Sequence, residues 1–516
     1  MDNRQHFAPV AADTDPADAH RPVRSAIREM ARRDGASSAR PAAVRHLRPL
    51  VPVLAAALLA ACAVGPDYRA AAPAPVELQN AQVPGVYAGG SPVAEWWRQF
   101  DDPVLERLVA DALLANPDLR IAMTRVQAAR AVFTERRLEP WPHVAAGAAG
   151  ERTRQPDAAG GAIAEEYSLG FDAAWELDLF GRLRRGAEAA RADLQAEQAG
   201  LADAQVSVAA EVARNYFLLR GAQKRIAVSE QTLVNLGQTQ RLTETRHALG
   251  AGSALDVNSS RARLKAIEAD IPLLRSLETA SRYRLAVLLG LQPGKLDAWL
   301  VPRETPAYAR ALPLGDTREL LRNRPDVRAA ERRLASATAR VGVATADLFP
   351  RISIRGFAGF LSGDLSGLVA GSNEAWSLAP AISWAAFDMG SVRARLRAAE
   401  AGADGAAIQY EKAVLAALED AENALQDYAR RQERLRIVVE QATAAREAER
   451  LADAGYREGA MDFLTLLDAQ RNQLAADDAL ADAEAAVNIA AVTVYKALGG
   501  AGTGEGQGLA SAQTLR

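Results

Sequence analysis

Tyr167 to Gly181 reads YSLGFDAAWELDLFG, and its alternation decides the fold. Tyr167, Leu169, Phe171, Ala173, Trp175 and Leu177 fall on one side of a period-two pattern; Ser168, Gly170, Asp172, Ala174 and Glu176 fall on the other. One face is large and apolar with aromatics toward both ends, and the other is small or charged. A strand has this profile when lipid lies on one side and water on the other. A half-exposed strand of an ordinary soluble sheet shows similar alternation, so the surrounding chain has to discriminate. Directly after Gly181 the pattern turns helical, and no proline occurs from Arg182 to Ala248. Trp376 to Gly390, WSLAPAISWAAFDMG, repeats the device: Trp376, Leu378, Ile382 and Trp384 alternate, Gly390 takes the place of Gly181, and a second proline-free run follows.

The recurrence extends along the chain. Asn116-Pro117-Asp118 matches Arg324-Pro325-Asp326, Trp141-Pro142 matches Phe349-Pro350, Trp175 matches Trp384, Gly250 matches Gly459, and Leu289-Gly290 matches Leu498-Gly499. The offset stays at about 208–209, which marks a tandem duplication. Each copy reads helix, strand, strand, very long helix, glycine turn, helix. The expected strands are 143–153 with 163–178, and 351–361 with 375–387. Four strands cannot close a membrane barrel, and an open edge in lipid is costly. Three chains would give twelve, an allowed even number.

At 1.5 Å per residue the long helices reach roughly 100 Å each, far beyond the globular mean. In the second, Val392, Leu396, Ala399, Ala403, Ala406, Tyr410, Ala413 and Ala417 step alternately by four and three, a heptad seam for left-handed supercoiling. The remaining faces carry Arg, Glu, Gln and Asp, as a wet helical tube requires. The fold class is therefore mainly α with a small β part: long coiled-coil hairpins forming a helical barrel, plus four strands per chain contributing to a transmembrane β-barrel that further chains complete, twelve-stranded if trimeric.

Bulk properties narrow the function. The formal charge is −3 over 516 residues. Residues 1–61 carry nine Arg and six acidic residues, so their removal leaves −6, which argues against a nucleic-acid partner. One cysteine and five scattered histidines exclude a disulfide framework and disfavour any Cys- or His-based metal site. The chain holds no Walker loop, no GxSxG and no HExxH, so neither enzyme activity nor a cofactor is expected.

Arg40, Arg45 and Arg48 precede an apolar run, LVPVLAAALLAAC, that ends at Cys62 and is too short to span a bilayer. Leu59-Ala60-Ala61-Cys62 resembles a bacterial lipobox, which makes Cys62 the acylated N-terminus of the mature chain; an ordinary signal peptide with an incidental cysteine is the alternative. Ala63 in the following position implies, by the same resemblance, sorting to the outer membrane. Residues 1–29 add nothing a leader needs, and translation is expected to start at Met30. Asp102 with Pro103 gives an N-cap and a first-turn proline, and Leu105, Leu108, Val109, Ala112 and Leu113 share one helical face.

Three motifs carry a family resemblance: CxVGPDY from Cys62, WWxxFxDPxLxxLVxxALxxNPDLxxA from Trp96, and LLRNRPDV from Leu320. Together they resemble the TolC-like outer-membrane factors, in particular the NodT-type lipoproteins that serve resistance-nodulation-division (RND) efflux pumps. The resemblance spans the mature chain and implies a homotrimeric, lipid-anchored exit duct in the cell outer membrane that projects into the periplasm. A periplasmic adaptor protein and an inner-membrane RND transporter are the implied partners, alongside outer-membrane lipid. The duct of a type I protein secretion system is the alternative function, and a pore-free structural lipoprotein coiled coil is a third. The expected segments are a leader at 1–61, a linker at 62–94, a first repeat at 95–290, a connector at 291–323, a second repeat at 324–499 and a tail at 500–516.

At the far ends of the long helices, HALGAGSALDVNSSRARL (His247 to Leu264) and YREGAMDFLTLLDAQRNQL (Tyr456 to Leu474) reverse the chain. Gly250, Gly252 and Gly459 are expected to supply positive-φ turns. Leu464 and Asp468 are spaced i, i+4 and share a helical face. The resemblance implies that three copies of each form stacked rings closing the periplasmic mouth, with Asp462 adding charge. A local pair between Asp468 and Arg471 is the alternative. The first copy has Ser259 where the second has Asp468, with Asp256 nearby, so the ring is assigned to the second copy.

Overall fold

A computed structural model describes residues 63–70, 78–89, 95–154, 156, 161–308, 310–314 and 324–500. Cys62, Met30, the leader and the C-terminal tail lie outside the described residues.

Among the described residues, seven α-helices and six strands organise the chain. In order they are β1 (Tyr87–Ala88), α1 (Pro103–Ala115), α2 (Pro117–Leu138), β2 (His143–Arg154), β3 (Ile163–Leu177), α3 (Arg182–Ala248), α4 (Ala254–Leu288), β4 (Leu312–Pro313), α5 (Pro325–Ala346), β5 (Arg351–Ser362), β6 (Glu374–Ser383), α6 (Met389–Arg457) and α7 (Phe463–Ala497). The N-cap expected of Asp102 forms: its carboxylate accepts from the Val104 and Leu105 amides, and Leu105, Leu108, Val109 and Ala112 bury the expected face. Pro117 then ends α1 and restarts the chain as α2, because proline forces the preceding residue out of helical backbone.

α3 has 67 residues and α6 has 69, so each is about 100 Å long. The shorter helices pair off along them. α2 and α5 pack against the first half of α3: Val126 touches Leu194 and Leu201, and Arg340 pairs with Asp193. α4 and α7 pack against its second half: Gln223 donates to Glu278, and Arg225 pairs with Asp478. α6 packs on α5 and then on α7. The heptad line from Val392 to Ala417 is the covered side of α6, while the residues between are mostly exposed.

Each short helix stacks end to end on another. Asn116 accepts from the Asp118 and Leu119 amides at the start of α2 and donates from its side chain to the Leu288 carbonyl ending α4. At the equivalent junction Arg324 donates to the Ala497 carbonyl ending α7 and pairs with Asp326 and Asp420. Around these junctions lies the main core: Trp96 stacks on Tyr495 at 5.3 Å, Phe100 meets Phe217 and Tyr308, and Tyr216 donates to Asp102.

The long strands form one antiparallel sheet in the order β2-β3-β5-β6. Its register confirms the alternation. Val144 pairs with Ala173, Trp175 with Ile354, and Ile354 with Pro380, so the apolar rows line up on one face; Asp172, Ser353, Arg355 and Ser377 fall on the other. Gly147, Gly170 and Gly359 stand in register on the polar face. A Cβ on Gly359 would lie 2.2 Å from the Leu169 carbonyl oxygen, so only glycine allows the strands to approach there.

The two corners differ. Gly181 precedes α3 with φ of 82°, a left-handed conformation, and Asp178 accepts from the Leu183 and Arg184 amides. The expectation that Gly390 repeats this role is corrected. β6 ends at Ser383, short of the expected residue 387, and a turn closed by the Asp388 amide on the Ala385 carbonyl starts α6 at Met389. That turn reverses the chain before Gly390, which lies inside the helix without a positive φ. A tryptophan buttress is shared by both corners: Trp175 donates to the Pro140 carbonyl and Trp384 to the Leu348 carbonyl.

Candidate functional site

The sheet and the helix tips mark the ends of the long helices. At the sheet, Trp376, Leu378, Ile382 and Phe171 are exposed on the apolar face, where an aqueous surface would penalise them. Among the described residues no strand pairs with the outer edge of β2 or of β6. No helix among them is long and apolar enough to cross a membrane. No group of His, Cys, Asp and Glu among them could hold a metal ion.

At the tips, Gly250 and Gly459 have φ of 74° and 77°, as the turns require. Gly252 does not. Close packing favours it instead, because a Cβ there would lie 3.2 Å from both the Arg246 Cβ and the His247 amide nitrogen. Ser253 caps α4 in a capping box with Asp256, and Asp462 caps α7 by accepting from the Thr465 amide at 2.7 Å. That backbone hydrogen bond holds the Asp462 carboxyl below the usual range.

Phe463 and Leu466 are buried against Tyr456 and Ala452, which fixes the turn and leaves Leu464 57% exposed between them. Asp468, one helical turn on, accepts from Arg471 at 2.6 Å and from Asn472 at 3.1 Å. Within one chain its partner is therefore the local arginine. Leu255, at the position of the first copy equivalent to Leu464, is 65% exposed. Sequence reading passed over it, although the repeat offset that paired Asp468 with Ser259 also pairs these two leucines. Arg246 ties the two turns together: it donates to the Tyr456 carbonyl at 2.8 Å and stacks over the Tyr456 ring.

Cys62 is not described, but the residues after it are. The Val64 amide donates to the Phe180 carbonyl at 3.1 Å, beside Gly181. Tyr68 donates to Glu331, and further on Glu422 accepts from the Gln79 and Asn80 amides. Residues 63–70 therefore run from the first corner over α5, and Gln79 and Asn80 lie against α6.

The model of the outer membrane efflux protein family matches residues 108–291 and again residues 317–500. The two matches begin 209 residues apart and end 209 apart, from 108 to 317 and from 291 to 500, in agreement with the repeat offset. The chain is 33% identical over 462 residues to the solvent efflux pump outer membrane protein SrpC of Pseudomonas putida, covering 87% of this chain and 97% of that one. It is 34% identical over 465 residues to outer membrane protein OprJ of Pseudomonas aeruginosa, covering 89% and 96%. The solved structure of the outer-membrane channel OprN matches with a TM-score of 0.82 at 47% identity, covering 85% of this chain and 99% of that one.

Proposed function

Because this chain belongs to the outer membrane efflux protein family, we propose that three copies form a passive, lipid-anchored exit duct of an RND-type efflux system. The observation that carries this reading is the sheet: one face apolar, one polar, and both edges open. Lipid would accept the first face and water the second, but lipid cannot hydrogen-bond the edges. Copies must therefore complete one another, and twelve strands from three chains make an even-numbered barrel with polar walls. Below it the paired helices, about 100 Å long, continue the lumen through the periplasm.

The duct performs no chemistry. Energy and choice of cargo belong to an inner-membrane RND transporter, joined by a periplasmic adaptor that meets the helical tips. Drugs and other small molecules are the proposed cargo, in keeping with the efflux pumps for which the relatives are named. Cys62 is the proposed acylated residue. Leu464 and Asp468 are the proposed gate, because their shared face at the tip would repeat around a threefold axis as a dry ring and an acidic ring. Single-channel recording of the purified protein in planar bilayers tests the duct. Discrete conductance steps are expected, and their absence from correctly folded protein would leave only a structural coiled coil.

A further inference from the structure

A buried arginine builds a slot for the residues that follow Cys62. The Arg185 side chain is 5% exposed, and its guanidinium donates to the Val64 and Gly65 carbonyls at 3.3 and 3.4 Å, to Asp67 at 2.6 Å and to Glu188 at 2.8 Å. Three of these four partners belong to the incoming segment. Without that segment the guanidinium would keep Glu188 alone and lose its cover, so the incoming residues both pair and bury it.

The walls of the slot are glycine. A Cβ on Gly181 would lie 2.6 Å from the Ala63 Cβ, one on Gly65 would lie 2.5 Å from the Gly342 Cα, and one on Gly342 would lie 2.9 Å from the Arg185 side chain. Tyr68 closes the far end, donating to Glu331 at 2.9 Å beneath Arg332. The second corner is built differently, since it turns through Ala385–Asp388 with no positive-φ glycine and Gly390 already lies inside α6. The slot therefore belongs to the first copy alone.

We infer that this slot is a docking site for the acylated N-terminus, with Arg185 and Tyr68 as positioning residues that fix the lipid anchor at the strand-to-helix corner of β3 and α3. The inference rests on the lipid-anchor reading of Cys62 above. With the slot filled, about two residues separate the anchor from a fixed point at Val64; without it, the next fixed point described is Leu78, about sixteen residues away. Effective concentration falls roughly as the −3/2 power of tether length, so docking concentrates the β2–β3 hairpin at the bilayer surface about twentyfold. The slot then serves assembly: it holds the first strands where they must insert.

The test is pulse-labelling of the full chain in cells, following conversion to folded trimer by native electrophoresis, for wild type and for Arg185→Gln combined with Tyr68→Ala. Each is made with Cys62 intact and with Cys62→Ser, and palmitate incorporation is followed in parallel. The double variant is expected to slow conversion by about tenfold or more when Cys62 is acylated, and to add no slowing in the Cys62→Ser background. Equal slowing in both backgrounds would mean that Arg185 and Tyr68 only stabilise the fold, and no slowing in either would mean that the slot does not guide assembly. Either result overturns the inference with palmitate labelling still intact. Wild-type protein that takes up no palmitate would remove the lipid-anchor reading itself.

Discussion

The side-chain amide of Asn116 donates to the Leu288 carbonyl at 2.8 Å, although 172 residues separate them. The same side chain caps α2 through its oxygen, so one asparagine satisfies the orphan groups of two helix ends. It makes α4 and α2 one column alongside α3. Asn116→Ala would strand a buried carbonyl and two amides, and is expected to destabilise the fold by about 2 kcal/mol. A lowered unfolding midpoint in detergent checks this; an unchanged midpoint would show that the junction is held elsewhere.

The proposed gate gives a pair of electrical predictions. In the proposed trimer Leu464→Ala would remove three apolar side chains from the throat and should raise closed-state conductance by about twofold or more. Asp468→Asn should leave conductance nearer wild type but weaken cation selectivity and block by multivalent cations. Bilayer recordings of purified trimers decide both. If both variants conduct and select like wild type, the constriction lies at other residues.

Alkaline pH should loosen the junction belt. Burial pushes the Tyr428 phenol up to about 12 from an ordinary 10.0, and burial raises Tyr87, Tyr216 and Tyr495 as well. The unfolded chain releases these protons near pH 10, whereas the folded chain retains them. Stability is therefore undiminished below pH 10 and falls as pH rises from 10 toward 12, by about 1.4 kcal/mol per unit for each tyrosine. Tyrosinate absorbance near 295 nm should appear together with loss of folded protein, at a pH well above that of a free tyrosine. Ionisation of these side chains in protein that stays folded would contradict this.

Gly359→Val should abolish barrel formation and leave the helices able to form. The added side chain would collide with the β3 backbone at Leu169 rather than with a flexible neighbour. Helical circular dichroism should persist while conductance and membrane insertion are lost. Normal insertion would show that the strands can separate at that row.

The periodic elements were legible in the sequence because both faces of each are declared locally. The alternation at Tyr167 to Leu177 and the proline-free run from Arg182 to Ala248 return almost unaltered as β3 and α3. Gly390 was misjudged because homology between the copies says nothing about whether the chain has already turned; the Ala385–Asp388 turn relieves that glycine of its role. Gly252 was right in place and wrong in reason, since φ and close approach leave the same residue type behind. The burial of Arg185 and of Arg324 could not be read from the sequence. Each reads as an ordinary charge on a long helix or before a short one, and its burial depends on partners roughly 90 to 170 residues away. At the tip, the Asp468–Arg471 pair allowed as the alternative is what one chain adopts.

The open edges of β2 and β6 also carry a genetic consequence. If three chains share one barrel, as proposed, it is spoiled by any one that cannot pair. Cells making equal amounts of a sound and an edge-defective chain would keep only about one-eighth of their barrels wholly sound, so lesions of this kind should behave as dominant alleles. Lesions that merely prevent a chain from being made should be recessive.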